Sequence, residues 1–167
     1  AFDFDMIIFA TGFDAMTGSL LKIDVTGREG VKLADKWAAG PTTYLGLGVH
    51  GFPNLFMVSG PGSPSVLSNM IVTIEQHVDF IFNCLDFLTT SGFTTIEAEA
   101  DAEAAWVAQC NSIAGETLFP TCNSWYLGAN VPGKPRIFMP FVGGFPLYQT
   151  ICEEVEAANY KGFRLAS

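Results

Sequence analysis

The chain has 167 residues, 49% hydrophobic and only 15% charged, with 8 basic against 17 acidic side chains and a formal net charge of −9; its mean hydropathy is +0.32. The length suffices for one domain with a sizeable core, yet the charge content falls well below the roughly 25% of an ordinary soluble domain, so the chain reads as too apolar to stand by itself in water. An acidic balance disfavours nucleic acid and anionic membrane surfaces, and Gly, Pro or a charge interrupts every apolar run before the roughly 18–20 residues of a membrane span.

In chain order, Asp5 to Ala10 is a short apolar run without helical period, ending at Thr11-Gly12, which predicts a buried strand of a parallel sheet followed by a turn. Residues Lys22 to Tyr44, short alternating pieces punctuated by Gly27, Gly30 and Gly40, read as a small antiparallel excursion or a long connection. A second strand is expected at Leu55 to Val58, between the Phe52-Pro53-Asn54 turn and the Gly60-Pro61-Gly62-Ser63-Pro64 loop. Ile71, Ile74, Val78, Ile81, Leu85 and Leu88 then recur at steps of three and four, the signature of an amphipathic helix. Its start falls between Ser68 and Thr73, where Asn69 could cap the open amides or Thr73 could form a capping box with Gln76, and Gly92 marks its end.

A further helix is expected over 101–116, with Ala104, Ala105, Val107, Ala108 and Ile113 as its apolar residues. Thr117 to Pro135 has no period and holds Trp125, Tyr126 and several Gly and Pro residues, which points to a functional loop or a disordered one. A last helix is expected over 148–158, and Phe163-Arg164-Leu165 as an extended tail.

Cys84, Cys110, Cys122 and Cys152 form no C-x-x-C pair, and with only His50 and His77 beside them no zinc-ligand spacing arises. Reduced, buried thiols in a cytoplasmic protein are expected. No signal peptide is visible. The sequence starts on Ala1, within a few residues of the first expected strand, which suggests an internal start. His77 reads as a satisfied interfacial histidine and His50 as plain surface. Lys134 and Arg136 are rare cations here, open to a nucleotide phosphate or to an ordinary solvated role.

Four segments carry a resemblance: Phe9-Ala10-Thr11-Gly12-Phe13-Asp14; Gly60 to Pro64 running through Asn69-Met70 to Ile74-Glu75; Asn123-Ser124-Trp125-Tyr126 with Gly128-Ala129-Asn130; and Pro132-Gly133-Lys134-Pro135. In this order and spacing the sequence resembles the C-terminal third of Baeyer–Villiger monooxygenases of the cyclohexanone monooxygenase type, over essentially the whole chain. The A-T-G turn is shared with related flavin-containing monooxygenases, whereas the Asn123 to Pro135 segment is the more specific part. The resemblance implies an α/β fold: the C-terminal fragment of a flavoprotein with two dinucleotide-binding domains, its parallel-sheet strands covered by helices and joined to a long control loop. Residues 1–14 would form a crossover strand and the A-T-G turn, 15–54 a connection, 55–117 a strand and helices, 118–137 the control loop, and 138–167 the C-terminal helix and tail.

FAD and NADPH are the cofactors that the resemblance implies, with a ketone and molecular oxygen as substrates and an ester or lactone as product. It assigns Thr11, Gly12, Asn69, Met70 and Trp125 to the cofactors, with Trp125 folding over bound nucleotide, and Leu67, Ser68 and Phe141 to the substrate pocket. No catalytic residue and no metal ligand is expected in this chain. No G-x-G-x-x-G turn, no F-x-G-x-x-x-H-x-x-x-W fingerprint and no arginine of the kind used beside the flavin is found. The chain is therefore expected to need N-terminal FAD and NADP domains as partners and to be inactive by itself. N- or S-oxygenation is the alternative chemistry, and a truncated chain awaiting an N-terminal partner the non-enzymatic one.

Overall fold

The computed structural model describes residues 2–10, 12–65 and 68–167. Two single-turn helices, α1 (Gly18–Leu21) and α2 (Leu33–Lys36), precede the long α3 (Met70–Ser91). Strand β1 (Thr95–Ala98), α4 (Ala100–Gly115), α5 (Phe145–Ala157) and β2 (Phe163–Ala166) follow.

Local chemistry explains both ends of α3. The Asn69 side chain accepts the Ile71 N–H at 3.0 Å, satisfying one of the amides that a helix start leaves open. At the other end Gly92 takes φ 76°, the Gly92 amide bonds Thr89 O and the Phe93 amide bonds Leu88 O, a Schellman termination that needs a residue tolerant of the left-handed region.

The buried stripe of α3 differs from the expected one. Thr73, His77, Phe80, Cys84 and Leu88 face inward, while Ile71, Ile74, Val78 and Leu85 are exposed, Ile71 at 68%. The helix is apolar on two faces, so its period alone does not say which is covered; the inner face is the one that meets α5 and the Leu45–Leu47 segment. The same correction applies to α4, where Glu103, Trp106, Cys110 and Ala114 are buried and Ala104, Ala105 and Ala108 are exposed.

The expected parallel strands at Asp5–Ala10 and Leu55–Val58 do not form. Among the described residues the only sheet is the antiparallel pair β1–β2, with Glu97 opposite Arg164 and Ile96 opposite Leu165. A strand needs a hydrogen-bonding neighbour, and among the described residues none pairs with residues 5–10, where Phe9 is 83% exposed. Near Leu55–Val58 the ladder is replaced by single bonds, such as Met57 N–H to Leu47 O.

The main core joins Leu45, Leu47, Phe80, Trp106, Phe141 and Tyr148, with Trp106 stacked on Phe141 at a centroid distance of 5.2 Å. Glu97, 3% exposed, ties the sheet to the long connection. It accepts from Arg28 at 2.6 Å and Arg164 at 2.8 Å and from the Gly51 amide at 3.0 Å. Burial works to raise its pKa, but those bonds and the Arg164 charge outweigh burial and hold the carboxyl below its ordinary value. His50 is accordingly not plain surface: it is half-buried, its Nδ1 lies 3.1 Å from Ala98 O, and its amide donates to Glu103. Cys84, Cys110 and Cys152 are buried as expected, whereas Cys122 is exposed.

Candidate functional site

The Gly60–Pro64 loop leads into α3 and is clamped by buried hydrogen bonds from several directions. Thr43 Oγ1 donates to Pro61 O at 2.6 Å, Trp106 Nε1 to Gly62 O at 3.1 Å, and the Gly62 amide to Met139 O at 2.7 Å. Gly46 packs so closely beneath this loop that an added Cβ would stand 2.7 Å from the Ser63 side chain and amide, at a φ of 71°, so both space and conformation require glycine there.

At the entry of the loop, the Ser59 amide donates to His77 Nδ1 at 3.0 Å. His77 Nε2 lies 2.8 Å from Tyr148 Oη, which donates to Leu45 O at 2.6 Å. Burial pushes the His77 imidazole down to about 4 and the Tyr148 phenol well above its ordinary value. His77 is thus a satisfied histidine, as expected, but fully enclosed rather than flanking.

Of the residues assigned to cofactor and substrate, Thr11 and Leu67 lie outside the described residues. Exposed Asn69 and half-buried Met70 form the start of α3, where Asn69 serves Ile71 and the Met70 and Val72 amides have no acceptor among the described residues. Ser68 Oγ lies 3.4 Å from Thr73 Oγ1. Gly12 sits at φ 77° with Asn130 beside it. The Phe141 side chain is fully buried between Trp106 and Tyr148, so its ring belongs to the core of this chain.

Trp125 and Tyr126 occupy a short turn, Trp125–Leu127, capped by Ser124. Tyr126 turns inward onto Phe119, and the turn is strapped to the following segment by Met139 N–H to Tyr126 O and Ile137 N–H to Leu127 O. Trp125 points out, 41% exposed, its ring 3.9 Å from that of Tyr126. The base of this loop is joined to the A-T-G region. Asn130 donates to Phe13 O at 3.0 Å, and Lys134 Nζ meets Asp14 Oδ1 at 2.5 Å and Thr17 Oγ1 at 2.6 Å, beside a cleft of about 320 Å³. Burial would raise Asp14, but the Lys134 bond and charge together with Thr17 leave it lowered. Lys134 is therefore engaged inside the chain, neither solvated nor free for a phosphate, and Arg136 bonds Asn123 and Cys122 O.

These residues fit part of a flavin dinucleotide. Open amides at the positive end of α3 suit an electronegative ring edge, and the exposed Ile71 and Ile74 beside them suit an apolar neighbour. Nothing among the described residues suits a pyrophosphate, since no glycine-rich strand-to-helix turn is present. No group of His, Cys, Asp and Glu able to hold a metal occurs among the described residues, and no helix among them is long and apolar enough to cross a membrane.

The sequence reading missed the Ser59–His77–Tyr148 chain, the Glu97 cluster and the Asp14–Lys134 pair. Partners 71, 67 and 120 positions apart leave no mark in periodicity; His77 and Lys134 stood out only as a rare histidine and a rare cation in so apolar a chain, and nothing along the sequence pointed to Glu97 or Tyr148.

No protein-family profile matches the chain. The acetone monooxygenase (methyl acetate-forming) of Gordonia sp. (strain TY-5) is 45% identical over 165 residues, covering 98% of this chain and 31% of that protein. The phenazine N-monooxygenase of Lysobacter antibioticus is 39% identical over 163 residues, covering 98% and 30%. The crystal structure of cyclohexanone monooxygenase from Rhodococcus sp. Phi1 bound to NADP+ superposes with a TM-score of 0.92 at 40% identity, covering 95% of this chain and 30% of that one. The chain spans about three tenths of the length of the curated relatives it matches. Over that span it belongs to the Baeyer–Villiger monooxygenases of the cyclohexanone monooxygenase type and corresponds to their C-terminal portion.

Proposed function

We propose that the chain serves an FAD- and NADPH-dependent monooxygenase that inserts one oxygen atom of O2 beside a ketone carbonyl to give an ester or lactone. In this reading it completes an FAD domain supplied by the N-terminal part of a longer protein. The observation that carries the proposal is the α3 start: a capped helix whose Met70 and Val72 amides have no acceptor among the described residues, flanked by exposed apolar side chains, in a chain matching ketone-oxygenating relatives over nearly its whole length.

Bound FAD would supply the oxygen-activating redox chemistry, using reducing equivalents from NADPH. The residues of this chain bind, orient and exclude water. The amides around Asn69 and Met70 place the positive end of α3 against the flavin edge, while Ser68, with Leu67 by the resemblance alone, is assigned to the ketone pocket that holds the carbonyl in reach. Trp125, exposed on a turn whose base is fastened by Asn130 and Lys134, folds over the nucleotide and shuts out water. Thr11 and Gly12 let the backbone approach the dinucleotides, and Phe141 supports the pocket from the core.

The test is product analysis with the full-length protein, NADPH and a panel of ketones. Esters or lactones formed with stoichiometric NADPH consumption support the reading; N-oxides or sulfoxides with no ester from any ketone overturn it. The second outcome is a defined rival, because a phenazine N-monooxygenase matches this chain at 39% identity. Leu67→Ala should shift ketone preference more than NADPH affinity.

A further inference from the structure

We propose that His77 is a positioning residue that sets the geometry of the loop running from Ser59 to the start of α3, and through it the affinity for the ketone. The inference rests on the proposed ketone reaction; its geometric part stands on the structure alone.

The two ends of the hydrogen-bonded chain fix every proton in it. A backbone N–H can only donate and a backbone carbonyl can only accept. The Ser59 amide therefore makes His77 Nδ1 an acceptor, leaving the ring proton on Nε2. The Leu45 carbonyl takes the Tyr148 hydroxyl proton, leaving the phenolic oxygen to accept from Nε2–H. One neutral tautomer satisfies all four groups, and protonation at Nδ1 would set an N–H against the Ser59 amide.

The chain ends at a buried carbonyl, so it leads no proton to a surface, and its effect must be geometric. Ser59 has φ 58°, a left-handed conformation that a residue with a side chain adopts only when its surroundings impose it. The bond that holds it there comes from the interior of α3, about two turns beyond Asn69. Residues 59 to 77 are thus closed into a ring: the loop departs from a point fixed on the helix and returns as the first turn of the same helix. Thr43, Trp106 and Met139 hold the middle of the loop; among the described residues, only the bond from His77 ties its entry to α3.

Two substitutions split the histidine in half. His77→Asn keeps an acceptor at the Nδ1 position for Ser59 and loses the donor to Tyr148; His77→Gln keeps a donor at the Nε2 position and loses the acceptor. In the flavin-loaded full-length protein, H77Q should raise ketone KM by about tenfold, the scale of one buried hydrogen bond. It should also raise peroxide release and speed amide exchange over residues 58–65, with NADPH KM unmoved. H77N should stay near wild type in all four. Tyr148→Phe, which leaves the Ser59 bond in place, should keep residues 58–65 protected even if H77Q retains no flavin. Equal effects of H77N and H77Q, a parallel rise in NADPH KM, or faster exchange over 58–65 in Y148F would overturn the proposal. A wild type that makes no ester would sink the proposed reaction, while the exchange measurements would still decide the loop geometry.

Discussion

Two apolar regions of similar composition meet opposite fates in this chain. Around Leu45, Leu47, Phe80, Phe141 and Tyr148, side chains from loops, three helices and the sheet enclose one another completely. Between Phe2 and Phe13, and along the outer face of α3, residues of equal hydrophobicity stand in water, Ile8 at 81% exposure and Phe82 at 69%. The difference is not in the residues but in whether a second surface is supplied. Contiguous exposed apolar surface on this scale marks an interface, and in the proposed reading that interface belongs to the rest of a longer flavoprotein.

The strongest way to break this comparison is to express residues 1–167 alone. Uncovered apolar surface and the absent phosphate-binding turn predict dye binding or self-association and no retained FAD; a monomer with cooperative unfolding and stoichiometric flavin would refute it. Next in size, Phe141→Ala in the full-length protein should cost about 3–5 kcal/mol, as for other buried aromatic truncations, seen as a fall in melting temperature. Phe82→Ala sharpens the contrast from the other side: a cost above roughly 1 kcal/mol means that the outer face of α3 is covered in the longer protein, and one below about 0.5 kcal/mol means that it is not.

Burial of charge gives the intermediate effects. The imidazole of His77 lies near 4 in the folded chain against 6.5 for the free group, so unfolding takes up a proton between these values. Its contribution is complete above about pH 6.5, declines as pH falls towards 4 and is flat below, a span of about 3 kcal/mol at most. Melting curves against pH should show that slope in wild type and lose it in H77N. The lowered carboxyls of Asp14 and Glu97 add their own loss at still lower pH in both proteins. Glu97→Gln, which weakens the bonds to Arg28 and Arg164, should cost about 2 kcal/mol, reduced by the solvent access of both arginines.

The smallest change in stability is expected for Trp125→Ala, under about 0.5 kcal/mol for a half-exposed side chain. Its functional effect should be out of proportion, with weaker NADP binding and more peroxide released but FAD retained. Titration of the variant with NADP checks this, and unchanged affinity would make Trp125 an ordinary surface aromatic.

Where a signal was local, the sequence determined the outcome. Asn69 and Gly92 bracket α3 because capping and left-handed termination depend on the residue at the spot. Alanine-rich α4 and the extended tail at Phe163 to Leu165 were legible for the same reason, as was the family, from the segments around Trp125 and Lys134. What the tertiary structure alone decided was every choice between equivalent surfaces. Periodicity locates the apolar faces of α3, but only contact with α5 and the Leu45–Leu47 segment selects the Thr73, His77 and Phe80 face as the inner one. Residues 5–10 have strand composition and no strand, because a strand is a property of two segments and one was not there to pair. Lys134 and His77 likewise carry no hint of Asp14 or Tyr148 in their neighbourhoods along the chain; long-range pairing is fixed by the packing of whole elements, which brings distant polar groups together and leaves them no other partner once water is excluded.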